Sequence, residues 1–497
     1  LAFTANGVTV HRAAALPGVV TYHFQFPSSS SRLTLGIESE TFEAAGGRKL
    51  GVQVLGVRLK LPEELPSFES PALWMSLGAL LLLASGLVSG LTFPFAVFGA
   101  ILSTLPLVYL LGLDAVRHSD YPRDVALLAL GTFLFAAALR ALLNRLGWLH
   151  PEERSAAVAL LALLLLMKMG MLAYPLQLSS DADFQANRMR EFLQGNWHPT
   201  SVTQHDPPYR IPYPISLFTA AAPLAMAGIK LVPALEIATG LADVMVSGLL
   251  MFLGWRALDD VRAGALAAVL YQLVPMNALS FSAGNFTNLF AVAMLAASYT
   301  SLSNGLALGA GFSTLFALTA HFGMLLEGIV LWPLWLFLQW LEPKPVNDRR
   351  KAVTAAVLAA FGIAAVYYLG YLDLFTSQYG RALSGEERQG TLATFAEQVG
   401  YVFLATAVLG ILSFWRDRLA LGWLAVTIFF FAVDLATGLE IRYWLQALPL
   451  LALFSGTYLS RAYDRSALGK AASIAAIAYI GLVGLRTIFD CMVYRYH

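Results

Sequence analysis

Apolar residues run in blocks of about twenty along most of this chain, the length an α-helix needs to cross a bilayer. Only the first 66 or so residues break that pattern. There "VVTYHFQF" (19–26), "SRLTLGIES" (31–39) and "LGVQVLGVRLKL" (50–61) alternate apolar and polar positions, as half-buried strands do. "PSSSS" and "AAGGR" between them supply turns. The pattern predicts a small β-sandwich-like domain over residues 1–68, followed by a mainly α, polytopic membrane domain over 69–497. A sandwich is normally larger than this, and the chain begins at Leu1 rather than Met, so further sequence is expected upstream.

The long apolar blocks predict about 14 transmembrane helices, near 72–90, 92–112, 124–144, 155–174, 234–255, 263–282, 285–302, 304–321, 323–341, 352–371, 398–414, 419–436, 442–460 and 471–490. Composition agrees: 58% of residues are hydrophobic and 13% charged, against about 25% charged in soluble domains. A formal net charge of +1 gives no reason to expect a nucleic-acid partner, and a single cysteine, Cys491, excludes an intramolecular disulfide.

Four loops are basic: Arg140, Arg145 and Arg154; Lys344, Arg349, Arg350 and Lys351; Arg416 and Arg418; Arg461, Arg465 and Lys470. Lys and Arg resist translocation, so these loops are expected inside. Loop 372–397 carries Asp373, Glu386, Glu387 and Glu397 against Arg381 and Arg388, and is expected outside. Counting crossings puts the β-rich head and the Asp181 loop outside too. The apolar segment 213–230 is the ambiguous one. If it crossed, the loop holding four cations at 344–351 would face out, so it is expected to lie in or dip into the outer interface. Residues 175–233 then form one long external segment with juxtamembrane helices, and long loops of this kind are usually functional.

That segment opens with "SSDADFQANRMREFLQGN" (179–196). Phe184, Met189, Phe192 and Leu193 make an apolar face, with Asp183, Asn187, Arg190 and Glu191 largely opposite, so a surface-lying helix is predicted with Asp181 and Asp183 at its start. The two acids are either catalytic or merely cap the helix. "TQHDPPYRIPYP" follows. His205 and Asp206 there could be an acid/base or metal pair and Arg210 a phosphate contact, or the four prolines could simply fix a rigid polar turn. Other polar groups gather at predicted outer ends: Asn285, Thr287 and Asn288; His321 and Glu327; Glu440, Arg442 and Tyr443. Arg442 at the membrane edge suits a phosphate. Lys168 lies about four residues inside the outer end of its span and is expected to snorkel outward. Asp243 sits deeper, where an acid is costly; it is either functional or a helix–helix hydrogen-bonding group. The sequence has no Walker A motif, no dinucleotide fingerprint and no His-x-x-x-His or Cys-x-x-Cys metal motif. The substrate is therefore expected to come from the membrane or from outside.

The acid-bearing first external loop "DADFQANRMREFLQGN", followed by "PYRIPYPISLF" and an Ala-Ala-Pro segment, resembles the GT-C superfamily of polytopic membrane glycosyltransferases, which includes protein mannosyltransferases, aminoarabinose transferases and oligosaccharyltransferases. "GNFTNLFA", "HFGMLLE" and "IRYWLQALPLLAL" extend the resemblance to bacterial members over most of 155–460. It implies a bacterial plasma-membrane protein with an extracytoplasmic head and site, a first-loop acid that is catalytic or metal-binding, and juxtamembrane helices behind it. Asp181 is the best positional match. Gln185 stands where His is common, which leaves Asp183 a candidate for the main acid.

The expected reaction moves a sugar from a polyprenyl-phosphate donor to an unidentified glycan, lipid or protein acceptor. Asp181 or Asp183 would be the general base, or would hold Mg²⁺ or Mn²⁺. Arg442, with Arg210 or Lys168, would steady the leaving phosphate, and His205, Asp206, His321, Tyr443 and Asn285 would line the substrate site. Membrane lipids are expected around the helices, and a protein partner could dock on the head. Two rival expectations are a lipid-linked glycan transporter and a non-catalytic GT-C-like subunit, for which Gln185 is the best support.

Overall fold

The structure is a computed structural model that describes residues 2–5, 8–12, 35–38, 42–44, 48–50, 71–113, 121–147, 149–173, 181–202, 210–341, 348–374, 392–437 and 444–493. They fall into two compact units, Leu1–Trp74 and Met75–His497.

In the first unit β1 (Ala2–Ala5) pairs antiparallel with β2 (Val8–Arg12) on one side and with β3 (Leu35–Glu38) on the other. The hairpin register shifts by a bulge between Phe3 and Thr4, and Ala2 faces Glu38 across the other ladder. β4 (Phe42–Ala44) and β5 (Arg48–Leu50) make a separate two-stranded ladder. The strand expected in "SRLTLGIES" is present as β3. "VVTYHFQF" and all but the first residue of "LGVQVLGVRLKL" lie outside the described residues. β1 is too short and too small-sided to show alternation, whereas β2 does alternate Val8 and Val10 with Thr9 and His11, and the sequence reading missed it.

The second unit is almost wholly helical. Its first four helices are α1 (Pro71–Val88), α2 (Phe93–Leu113), α3 (Tyr121–Leu146) and α4 (Pro151–Ala173). After them come α5 (Ala182–Leu193), a hairpin of β6 (Thr200–Val202) and β7 (Arg210–Pro212), and α6 (Ser216–Met226). Next are α7 (Leu231–Leu258), α8 (Val261–Leu273), α9 (Pro275–Ser282), α10 (Phe286–Ser303), α11 (Ala307–Leu318), α12 (Phe322–Trp340) and α13 (Asp348–Leu369). The series ends with α14 (Leu392–Val399), α15 (Tyr401–Ile411), α16 (Arg418–Thr437), α17 (Trp444–Arg465) and α18 (Ala467–Val493).

Each apolar block holds helix. Among the described residues, seven are long and apolar enough to cross a membrane: α3, α4, α7, α10, α12, α13 and α18. An eighth is the broken pair α8–α9, bent by 48°. The break falls at Pro275, which has no N–H to continue the ladder. Large apolar side chains such as Phe95, Leu134, Val366 and Leu482 point outward, as lipid-facing residues do. The protein is thus a polytopic membrane protein. α17 is different: it is buried along nearly its whole length, packed between α8 and α15, and carries Gln446, Ser455, Thr457 and Ser460 inside.

Glycines set the closest helix approaches, as is usual where lipid supplies no hydrophobic drive between helices. A Cβ on Gly264 of α8 would sit 2.8 Å from the Met251 carbonyl oxygen of α7, and one on Gly456 of α17 would sit 2.6 Å from that of Ala263. Gly264→Val is therefore expected to force α7 and α8 apart at a cost of about 1–3 kcal/mol. A lower thermal midpoint of the detergent-solubilised protein would register it, and an unchanged midpoint would refute the packing argument.

Candidate functional site

The segment after α4 is pinned to the helix ends beneath it at three places. The first is the start of α5. Ala182, Gln185, Ala186 and Met189 are buried on its inner face, while Asp183 and Arg190 are exposed; of the expected apolar face Met189 is buried, Phe184 and Phe192 are half-buried and Leu193 is exposed, so the buried stripe is rotated from the one the spacing predicts. The Asp181 backbone N–H donates to the Ala283 carbonyl at 3.3 Å, and the buried Gln185 amide donates to the Gly284 carbonyl. Ala283 and Gly284 form the turn between α9 and α10, so Asp181 arrives two residues from Asn285, which precedes α10. The Asp181 side chain makes no capping hydrogen bond and is only half-buried. Its carboxylate is thus not consumed by helix capping.

The second place is the start of α6. The Ser216 N–H donates to the Thr319 carbonyl at 3.0 Å, and the two hydroxyl oxygens are 2.5 Å apart. Thr319 leads to His321, whose Nδ1 accepts the Gly323 N–H at 3.1 Å and so caps α12.

The third is the β6–β7 hairpin. The Pro199 carbonyl accepts both the Tyr213 N–H and the Tyr371 hydroxyl, each at 3.0 Å. His198 stacks on Tyr367 at 5.2 Å between ring centroids, and its Nε2 lies 3.2 Å from the Tyr367 carbonyl oxygen. The imidazole also lies directly over Gly370, where a Cβ would collide with it. Gly370→Leu is expected to dislodge His198 and loosen the hairpin by about 1–3 kcal/mol. Faster proteolytic cleavage between residues 202 and 210, at unchanged global stability, is the readout; equal cleavage rates would refute it. Arg210 is exposed on β7.

A second polar centre lies inside the helices. Lys168 of α4 and Asp243 of α7 form an ion pair, Nζ to Oδ2 2.9 Å, both buried. The lysine also donates to the Asn277 side-chain carbonyl and sits 4.3 Å from the Phe281 ring centroid. Asp243 Oδ1 accepts from the Tyr271 hydroxyl at 2.7 Å and from Asn277 Nδ2 at 3.2 Å. Gln272 donates to the Asp243 carbonyl at 3.1 Å and to Ser247 Oγ at 3.2 Å. This corrects the expectation that Lys168 snorkels to the surface. Pairing with Asp243 holds it inside, since separating the two charges would leave each unpaired in a low dielectric. A third buried group, Glu327 of α12, faces the Gln446 side-chain amide of α17. Two residues earlier, Trp444 is packed against Phe395 and Phe431.

The structure thus brings the turns of Asp181, Asn285 and His321 against one chain segment, leaves Asp183 outward, and takes Lys168 into the interior. His205, Asp206, Arg442 and Tyr443 lie outside the described residues. Asp181 and Asp183 are two residues apart at a helix start, a spacing that points side chains in different directions. Among the described residues no group of three or more His, Cys, Asp or Glu could hold a metal ion. Sequence reasoning missed Tyr271, Asn277, His198, Tyr371 and Gln446. The one usable signal was polarity inside apolar blocks at 271–272, 277 and 446.

Compared with models of known protein families and with curated protein sequences, the chain matches none.

Proposed function

We propose that the chain is a membrane glycosyltransferase of GT-C type, moving a sugar from a polyprenyl-phosphate donor to an acceptor at the outer face of a bacterial plasma membrane. The observation that carries the reading is the docking of Asp181, with a carboxylate not used for capping, onto the turn that leads to Asn285. The pinning of the same segment to the α11–α12 turn and to the end of α13 supports it, because loop charge assigns all these ends to one face. In this reading α6 does not cross, because a crossing there would turn the cation-rich end of α13, with Arg349, Arg350 and Lys351, to the outer face. In this reading the shorter apolar helices complete about 14 spans, and the β-rich head is an external sandwich-like module that could receive a protein partner.

Asp181 takes the proton of the acceptor hydroxyl. The acceptor oxygen bonds the anomeric carbon as the bond from that carbon to the phosphate oxygen breaks, and the polyprenyl phosphate leaves with the electron pair. Arg442 and Arg210 neutralise it, with Tyr443, His205 and Asp206 as further contacts on the same external stretches. Lys168 takes no part, since its charge is already matched. Gln185 serves as a docking group for α5 and so offers no support for an inactive subunit. Asp181→Asn and Asp183→Asn, each assayed for transfer from polyprenyl-phosphate sugars in nanodiscs, test the proposal; full transfer by Asp181→Asn sinks it.

A transporter of lipid-linked glycans is the second reading. It is favoured by one observation, the 48° break at α8–α9 beside a buried ion pair, a feature of transporter binding sites. Translocation of a fluorescent lipid-linked sugar across proteoliposomes, with no bond made or broken, would select it.

A further inference from the structure

The ion pair and the break in the α8–α9 span belong to one device. Asp243 Oδ1 accepts from Tyr271, which precedes the break, and from Asn277, which follows it. The carboxylate therefore bridges the two half-helices at the point where Pro275 interrupts the backbone ladder. Lys168 closes the bridge from α4 by binding Asp243 and Asn277 together. Gln272 adds a bond from the last turn of α8 to the Asp243 backbone. A break of this kind would otherwise leave the direction of α9 to packing alone.

α9 is eight residues long and ends in the Ala283–Gly284 turn. Its two carbonyls receive the Asp181 N–H and the Gln185 amide. We infer that Asn277, through the Lys168–Asp243 bridge, is a positioning residue for Asp181: it fixes the direction of α9, and α9 fixes the first turn of α5. The inference rests on Asp181 being the base of the proposed reaction, but its structural half stands independently.

Beyond its first two turns, α5 is held by Met189 and Phe192 against the core. Loss of the bridge should therefore loosen its first turns without releasing the helix. The test uses the full chain in nanodiscs with Cys491→Ala, carrying a nitroxide at Asn187→Cys, which is exposed on α5. A control chain carries it at Leu482→Cys on the outward face of α18. Asn277→Leu removes both bonds of Asn277. It is expected to shift the 187 spectrum toward its mobile component while the 482 spectrum stays unchanged. The double variant Asp243→Asn with Asn277→Asp moves the carboxylate from α7 to α9 and keeps a partner for Lys168, so it is expected to return the 187 spectrum to the immobile form.

An immobile 187 label in Asn277→Leu overturns the inference, as does joint loosening of both labels, which would mean general destabilisation. If Asn277→Leu does not fold, the double variant decides: a mobile 187 label there overturns the inference, and an immobile one supports it. In transfer assays Asn277→Leu should lower kcat with little change in KM. A mobile 187 label beside an unchanged 482 label, in a chain whose wild type transfers nothing, would uphold the bridge and refute the glycosyltransferase reading.

Discussion

Asp243→Leu alone is expected to destabilise the protein by about 3–5 kcal/mol, the cost of leaving one partner of a buried ion pair uncompensated. Lys168 would keep only the Asn277 carbonyl and the Phe281 ring as partners, at 3% exposure. Lys168→Met should cost a similar amount, because it strands the carboxylate. The double variant Lys168→Met with Asp243→Asn removes both charges and retains an acceptor for the Tyr271 hydroxyl. It should recover most of the loss, since the attraction within a buried pair does little more than offset the desolvation of its members. Thermal unfolding of the three variants in one detergent makes the comparison. Single variants as stable as the wild type, or a double variant no better than the singles, would contradict the pairing.

Asp181→Asn is expected to lower kcat for sugar transfer by about 10²–10⁴-fold, the usual contribution of a positioned general base. KM should change little, because the amide is isosteric and the α5 docking uses the Asp181 backbone rather than its side chain. Asp183→Asn should be nearly silent, since that side chain is exposed on the far side of the first turn. The contrast between two acids two positions apart is the informative result. Equal losses would move the base to a different residue or make both acids part of one site.

The helices could be read from the sequence because hydrophobic length is a local property. The blocks containing Lys168 and Asp243 stood out for the same reason, as charges amid apolar residues. α5 was legible from its spacing of Phe184, Met189 and Phe192. What could not be read is which polar groups meet. Lys168 sits near the end of its helix, and snorkelling is the local solution for such a residue. Only the fold brings Asp243 within reach. Asn277 and Gln446 look unremarkable in sequence because an amide in an apolar block implies some partner and names none. His198 and Tyr371 lie on segments far apart in sequence, and their contact depends on how the hairpin falls across the end of α13. Gln185 read as a departure from a family pattern; its bond to Gly284 gives it a use that the pattern alone does not suggest.

The near-complete burial of α17 bears on how the chain is made. A helix with Gln446, Ser455, Thr457 and Ser460 on its surface gains little from lipid alone. It leaves the ribosome after α8 and α15, the helices that enclose it. During biogenesis the insertion machinery therefore delivers α17 against helices its predecessors have already placed, with α18 closing over it afterwards, and its retention there depends on that assembly rather than on greasiness of its own.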